Sequence, residues 1–375
     1  MEQQEQILEN NIYRPKLLIM WSLGLVAITL FGLLLGGEAR LFASNAIPLL
    51  FMGLALFAYL GERSQIWRVI SIGYTLLLIG STALFSMLLT ISSMLEYESG
   101  QPRFPANSLP LILLLLLVTG LVAAISLLGF IPTIRQWLSK FLPIDPYSFV
   151  HTIALVSIIG LTTIMLSQVF FSDIPPLLNI MAQAEIDKSD PAADMRSSNY
   201  NMIWCAITVL FAVGYGLKRN FRQTLERLGV VKPSLKQLGI ALAAAIAMVL
   251  GATLLNMATQ YIWDFFGWPT TDGELFEELI GFAFSFVGAL VLGITAGVSE
   301  ELAIRGALQP RLGILLSNLF FTSLHAMQYH WDSLLLVFCI GIILGLLRKY
   351  TNTTVAIITH ATYNFLLAFS ATLFG

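Results

Sequence analysis

Residues 107–132 read NSLPLILLLLLVTGLVAAISLLGFIP, without one Asp, Glu, Lys or Arg. As a helix this run is about 39 Å long at 1.5 Å per residue, more than the roughly 30 Å of hydrocarbon in a bilayer. Similar stretches lie on both sides of it, near 17–37, 41–61, 69–95, 147–172, 198–217, 237–260, 280–299, 312–327, 333–347 and 353–373. The chain therefore reads as all-α, a polytopic transmembrane bundle of about eleven helices. The stretch ending near Ser299 is expected to stay helical through Arg305. Composition agrees, since 57% of the 375 residues are hydrophobic and only 11% charged, too few charges to cover soluble domains of that length.

Charge position then sets topology. With the N-terminus inside, sixteen of the twenty Lys and Arg fall on the inner side, from Arg14 through the 218–236 segment to Arg348 and Lys349. Arg40, Arg103, Lys188 and Arg196 remain outside, so the bias predicts a cytoplasmic N-terminus and an external C-terminus. This is the pattern of an integral protein of a prokaryotic plasma membrane. The first apolar stretch leads directly into further spans and reads as an anchor, not a cleaved leader. The outer segment 173–197, with Asp173, Glu185, Asp187, Asp190 and Asp194, reads as an acidic loop with a short helix. A net charge of −2 argues against nucleic-acid binding, and Cys205 and Cys339 are too few for a disulfide framework. The partners expected are the lipid bilayer and a membrane-associated protein or peptide.

Ionisable groups inside apolar spans cost roughly 2.5–3.5 kcal/mol each and call for a reason. They gather in the last quarter of the chain: Ser299-Glu300-Glu301, Arg305, then Phe321 and His325, then His360 and Asn364. Glu301 and Arg305 share a helix face at i,i+4, so the arginine is expected to neutralise that acid. Glu300, about 100° around the helix, is left for another partner. His360 and Asn364 also share a face. Counted along the helices, Glu300 lies roughly 12–17 Å, His360 about 15 Å and His325 about 20 Å from the cytoplasmic edge. The three helices are thus expected to bring these groups to one pocket in the cytoplasmic half. A carboxylate with two imidazoles and an amide suits water-driven amide hydrolysis, with Glu300 as general base and His or Asn donors for an oxyanion. The same Glu300, His325 and His360 suit zinc or another divalent ion. His151 and His330 read as structural, and Ser299 as a helix contact, because no serine-protease or aspartyl-protease motif surrounds it.

Glu300-Glu301-x-x-x-Arg305, Phe321-x-x-x-His325 and His360-x-x-x-Asn364 together resemble the CPBP family of intramembrane proteases, the type II CAAX prenyl endopeptidase, bacteriocin-processing and abortive-infection family. The resemblance implies an intramembrane endopeptidase core over 200–375. Residues 1–199 are N-terminal transmembrane helices without an assigned role. In that reading Glu300 activates water with His325, while His360 and Asn364 serve the oxyanion or, in a metalloprotease version, a metal. Glu301, Arg305 and Phe321 support the site. The alternative is a non-catalytic scaffold or immunity protein that keeps the protease fold. A prenylated CAAX substrate does not follow from the motifs.

Overall fold

A computed structural model describes residues 15–98, 101–105, 108–183 and 190–374. Apart from a hairpin of two three-residue strands, β1 (Glu96–Glu98) and β2 (Gln101–Arg103), its regular structure is helical. In chain order the helices are α1 (Pro15–Leu35), α2 (Gly37–Ser44), α3 (Leu49–Gly61), α4 (Gln65–Ser93), α5 (Ser108–Ser126), α6 (Pro132–Leu138), α7 (Phe149–Gln168), α8 (Pro176–Gln183) and α9 (Pro191–Ala212). They continue with α10 (Phe221–Leu228), α11 (Leu235–Phe266), α12 (Gly273–Leu279), α13 (Phe286–Glu301), α14 (Gln309–Ser323), α15 (Trp331–Tyr350) and α16 (Thr353–Phe374). Among the described residues eight helical stretches are long and apolar enough to cross a membrane, or nine if the pair α2 and α3, bent by 49°, is one span. An integral membrane protein follows from these spans.

Two differences account for the expected eleven. Helix α9 begins with Asp190 capping it and carries Asp194 and Arg196 in its first turns, so although it is 22 residues long its first half is too polar for a continuous apolar span. The other concerns residues 286–323, helical in one 38-residue run. Gly313 interrupts that run with φ 78° and ψ 173°, a conformation open essentially to glycine alone. Thirteen residues of straight helix would separate Arg305 from Asn318 by about 20 Å. Yet a Cβ on Gly341 would lie 3.1 Å from Arg305 Nη2 and against Asn318 Oδ1, so both flank one residue of α15. The chain therefore reverses near Gly313, and α13 and α14 are separate passes.

Helix α7 is the most enclosed span and α1 the least. Its buried Ile153, Leu155, Ile158 and Leu161 join Tyr59, Leu312, Phe320 and Phe321 in the main apolar cluster, so a helix apolar all round sits in the middle of the bundle. The residue 199/200 division drawn from the sequence falls inside α9, which packs on both α3 and α13.

The basic turns meet at one end of the bundle. Arg311 donates to the Ala212 carbonyl and the Tyr59 hydroxyl, and Arg227 donates to the Gly306 carbonyl at 3.1 Å. Lys218 pairs with Glu62 at 2.6 Å, and Thr353 N–H donates to the Gly229 carbonyl at 3.0 Å. Burial and the neighbouring Arg311, Arg219 and Arg348 push the Arg227 guanidinium down to about 10, a sign of how closely these cations are packed. At the opposite end Asn45 bonds Ser197, Leu177 N–H donates to the Met327 carbonyl, and Thr271 bonds Asp332. Helix α8 is the short helix expected in the acidic outer segment, whose Glu185, Asp187 and Lys188, like Arg14 of the inner set, lie outside the described residues.

Candidate active site

The site is assembled by an approach of two backbones. On α13, a Cβ at Gly293 would sit 2.5 Å from the Ala361 carbonyl oxygen, and one at Gly297 2.8 Å from the Ala361 nitrogen. Real side chains never come so close. Glycine at these two positions lets α13 lie directly on α16, with small residues replacing the hydrophobic drive that is missing in lipid. Glu300 and Glu301, one turn beyond Gly297, are thereby set beside His360.

Glu301 is fully buried. Its Oε1 lies 3.1 Å from Arg305 Nη1 and accepts from His360 Nδ1 at 2.8 Å, so one oxygen serves two partners. Arg305, 1% exposed, also donates through Nη2 to the Gly341 carbonyl at 3.0 Å, and its guanidinium sits 4.5 Å over the Phe321 ring. The pairing expected from i,i+4 spacing is present, although residues 302–308 are wound as a π-helix and not as α. Such widened turns recur at functional sites. Gly341 has the role in α15 that Gly297 has in α13, admitting Asn318 and Arg305 to its own backbone.

Glu300 faces elsewhere, as the 100° offset requires. Its side chain is 31% exposed and its Oε2 lies 3.8 Å from His360 Nε2. His360 thus stands between two carboxylates. His325 follows the end of α14, with Nδ1 3.0 Å from the Phe321 carbonyl. A carbonyl or carboxylate oxygen only accepts, so Nδ1 carries the proton in both imidazoles. The Nε2 of His325 is then bare, and that of His360, set between two carboxylates, is bare in the neutral ring and a donor in the protonated one. Phe321 packs edge-on to both, with centroids at 5.0 Å from His325 and 6.3 Å from His360.

Glu300, Phe321, His325, His360 and Asn364 line one cavity of about 660 Å³, within the range of ligand pockets. Glu301 and Arg305 stand behind the wall. Sequence reasoning missed Tyr329, whose ring stacks parallel to His325 at 5.8 Å, and Tyr363, which lines the cavity between His360 and Asn364. Aromatic residues are too common in spans for either to have stood out. His151 accepts the Asp145 N–H at 2.8 Å and His330 precedes α15, both away from the cavity lining. Ser299 back-bonds to the Thr295 carbonyl, and its own carbonyl accepts from Cys205.

The donor set does not fit a resident divalent ion. The two Nδ1–H bonds leave Nε2 as the nitrogen that could ligate, as in metal-bound histidines, but Glu301 Oε1 is taken by Arg305 and His360 behind the cavity wall. Among the described residues no three His, Cys, Asp or Glu side chains come together as a metal-holding group. Glu300 and His360 face each other at 3.8 Å, where zinc sites take three or four protein ligands.

Comparison with known proteins finds a family described as Type II CAAX prenyl endopeptidase Rce1-like, whose model matches residues 282–366, under a quarter of the chain. The matched stretch contains all three motifs and runs from the turn before α13 to the middle of α16. Over it the chain is similar to the CAAX protease family, as the motifs indicated. No curated protein and no solved structure matches the chain.

Proposed function

We propose, from the Rce1-like match over residues 282–366 and the geometry around His360, that the chain is an intramembrane endopeptidase with a glutamate-activated water. The observation that carries the reading is the division of labour between adjacent acids. Glu301 is buried and held by Arg305 and His360, whereas Glu300 is partly exposed on the cavity with His360 Nε2 as its neighbour. A carboxylate kept free beside an immobilised one is what a general base needs.

Glu300 takes a proton from water as the water oxygen attacks the carbonyl carbon of the scissile peptide. The bare Nε2 of His325 accepts the second water hydrogen and aligns it. The carbonyl oxygen becomes an oxyanion, and the Asn364 amide and the Nε2–H of protonated His360 donate to it. The C–N bond then breaks, the proton on Glu300 passes to the departing nitrogen, and the carboxylate is restored. Glu301 orients His360 and balances its charge, and Arg305 neutralises Glu301. The substrate is a membrane-associated protein or peptide.

Wild type, Glu300→Ala and His360→Ala are to be expressed in membranes and their cleavage products compared by mass spectrometry. Products present in wild type are expected to vanish in both variants, since a positioned base contributes about 10²–10⁴ in rate. Unchanged products from both stably inserted variants would refute the mechanism.

A further inference from the structure

The cavity has a direction. On α16 its lining begins at His360 and continues through Tyr363, Asn364 and Leu367 to Ala371, and no residue of 353–359 takes part. On α15 it uses Asp332 to Ile340 and nothing from the second half. On α13 it uses Leu292, Ala296 and Glu300, and on α11 Asn256 and Gln260, towards that helix's C-terminus. Helices α11, α14, α15 and α16 contribute the half nearer the end where Thr271 bonds Asp332, and α13 runs down the wall from Leu292 to Glu300 at its lower end. The basic turns lie at the other end. Glu300 is therefore the floor of a cavity that opens away from Arg227, Arg311 and Arg348, whereas depth counting from sequence placed the pocket in the cytoplasmic half.

The lining also has a sign. Among the described residues its carboxylates are Glu277, Glu300 and Asp332, with His360 as the cation beside Glu300 and no Lys or Arg. Asp332 is held by neutral donors, Thr271 N–H at 3.0 Å and its hydroxyl at 2.8 Å, so its charge is not cancelled. Low-dielectric walls lined with one sign of charge concentrate its field. Asn256 and Gln260, one turn apart and exposed on α11, offer amides to an extended main chain.

We infer that substrate reaches Glu300 from the face opposite the basic turns, the extracytoplasmic face under the positive-inside bias, as an extended polypeptide segment bearing neutral or basic side chains. This route rests on the proteolytic reading, but its test needs no turnover, so the two fail separately. In full-length protein with Cys205→Ser and Cys339→Ala, single cysteines are placed at Ser333 and Gln328 in the cavity, at Glu274 on α12 and at Lys349 on the basic face. Intact cells are treated with impermeant methanethiosulfonates, one cationic (trimethylammonium-ethyl) and one anionic (sulfonatoethyl), before and after permeabilisation. The cavity cysteines are expected to react in intact cells together with Glu274→Cys, and Lys349→Cys only after permeabilisation. The cationic reagent is expected to outpace the anionic one at Ser333→Cys by about tenfold or more relative to Lys349→Cys, and adding Glu277→Gln should shrink that ratio. Cavity labelling from the Lys349 side, from both sides or from neither overturns the entry route. An equal or inverted reagent ratio overturns the charge preference.

Discussion

Replacing Arg305 by Met isolates what the buried acid depends on. The side chains of Arg305 and Glu301 are 1% and 0% exposed, and the guanidinium holds the carboxylate at 3.1 Å, the Gly341 carbonyl at 3.0 Å and the Phe321 face at 4.5 Å. Met fills much of the volume and supplies none of these. Removing one partner of a buried ion pair costs about 3–5 kcal/mol, because the other charge is left without compensation. A charged hydrogen bond of about 1.5–3 kcal/mol to Gly341 and a desolvated cation–π contact of about 2 kcal/mol lie within that loss and do not add to it in full. The double variant Glu301→Gln/Arg305→Met removes both charges and is expected to recover at least about 2 kcal/mol of the single variant's deficit. Equilibrium unfolding in mixed detergent micelles, followed by far-UV circular dichroism, reads both numbers. An Arg305→Met variant within about 1 kcal/mol of wild type, or costs that merely add in the double variant, would refute the account of the pair.

Two other expectations concern assembly and cofactor. Gly297→Leu puts a side chain where the Ala361 backbone lies 2.8 Å from a Cβ, so α13 must lift from α16; a cost of about 1–3 kcal/mol and loss of cleavage are expected, read by the same unfolding and product assays. Wild-type protein in which chelation abolishes cleavage, and zinc restores it, would contradict the donor geometry; cleavage within about twofold of the untreated rate is expected after chelator treatment.

Much of this architecture is legible from residues alone, for a reason particular to lipid. Hydrocarbon offers no hydrogen bonds, so backbone must close on itself as helix and charges must stay in the turns. That is why residues 107–132 declare a span and why Glu300, Glu301, Arg305, His325 and His360 stand out against their surroundings. The pairing of Glu301 with Arg305 was readable from their i,i+4 spacing, although the π winding between them was not. Other features depend on partners distant in sequence. Nothing local to Gly341 announces that Asn318 and Arg305 press on its backbone, and Gly313 looks like any other glycine until Pro143 and the reversal of the chain are in place. The π-wound segment 302–308 follows an unbroken helical pattern in sequence. The direction of the cavity is the clearest case. Counting residues gives a depth for Glu300, but which side of that depth stays empty depends on where α11, α13, α15 and α16 diverge.

The contact of α13 with α16 has a consequence for how this site can change. Because Gly293 and Gly297 meet Ala361 through main-chain atoms, the separation of the backbones that carry Glu300 and His360 is set by two helix axes. The walls nearer the mouth come from other material: Asn256 and Gln260 on α11, Glu277 on α12, Ser333 and Leu336 on α15. On the proposed reading, the hydrolytic groups and the walls that meet the substrate are thus built on separate elements. On that reading, substitutions in these walls alter which segment is accepted without disturbing the α13–α16 contact that carries Glu300 and His360.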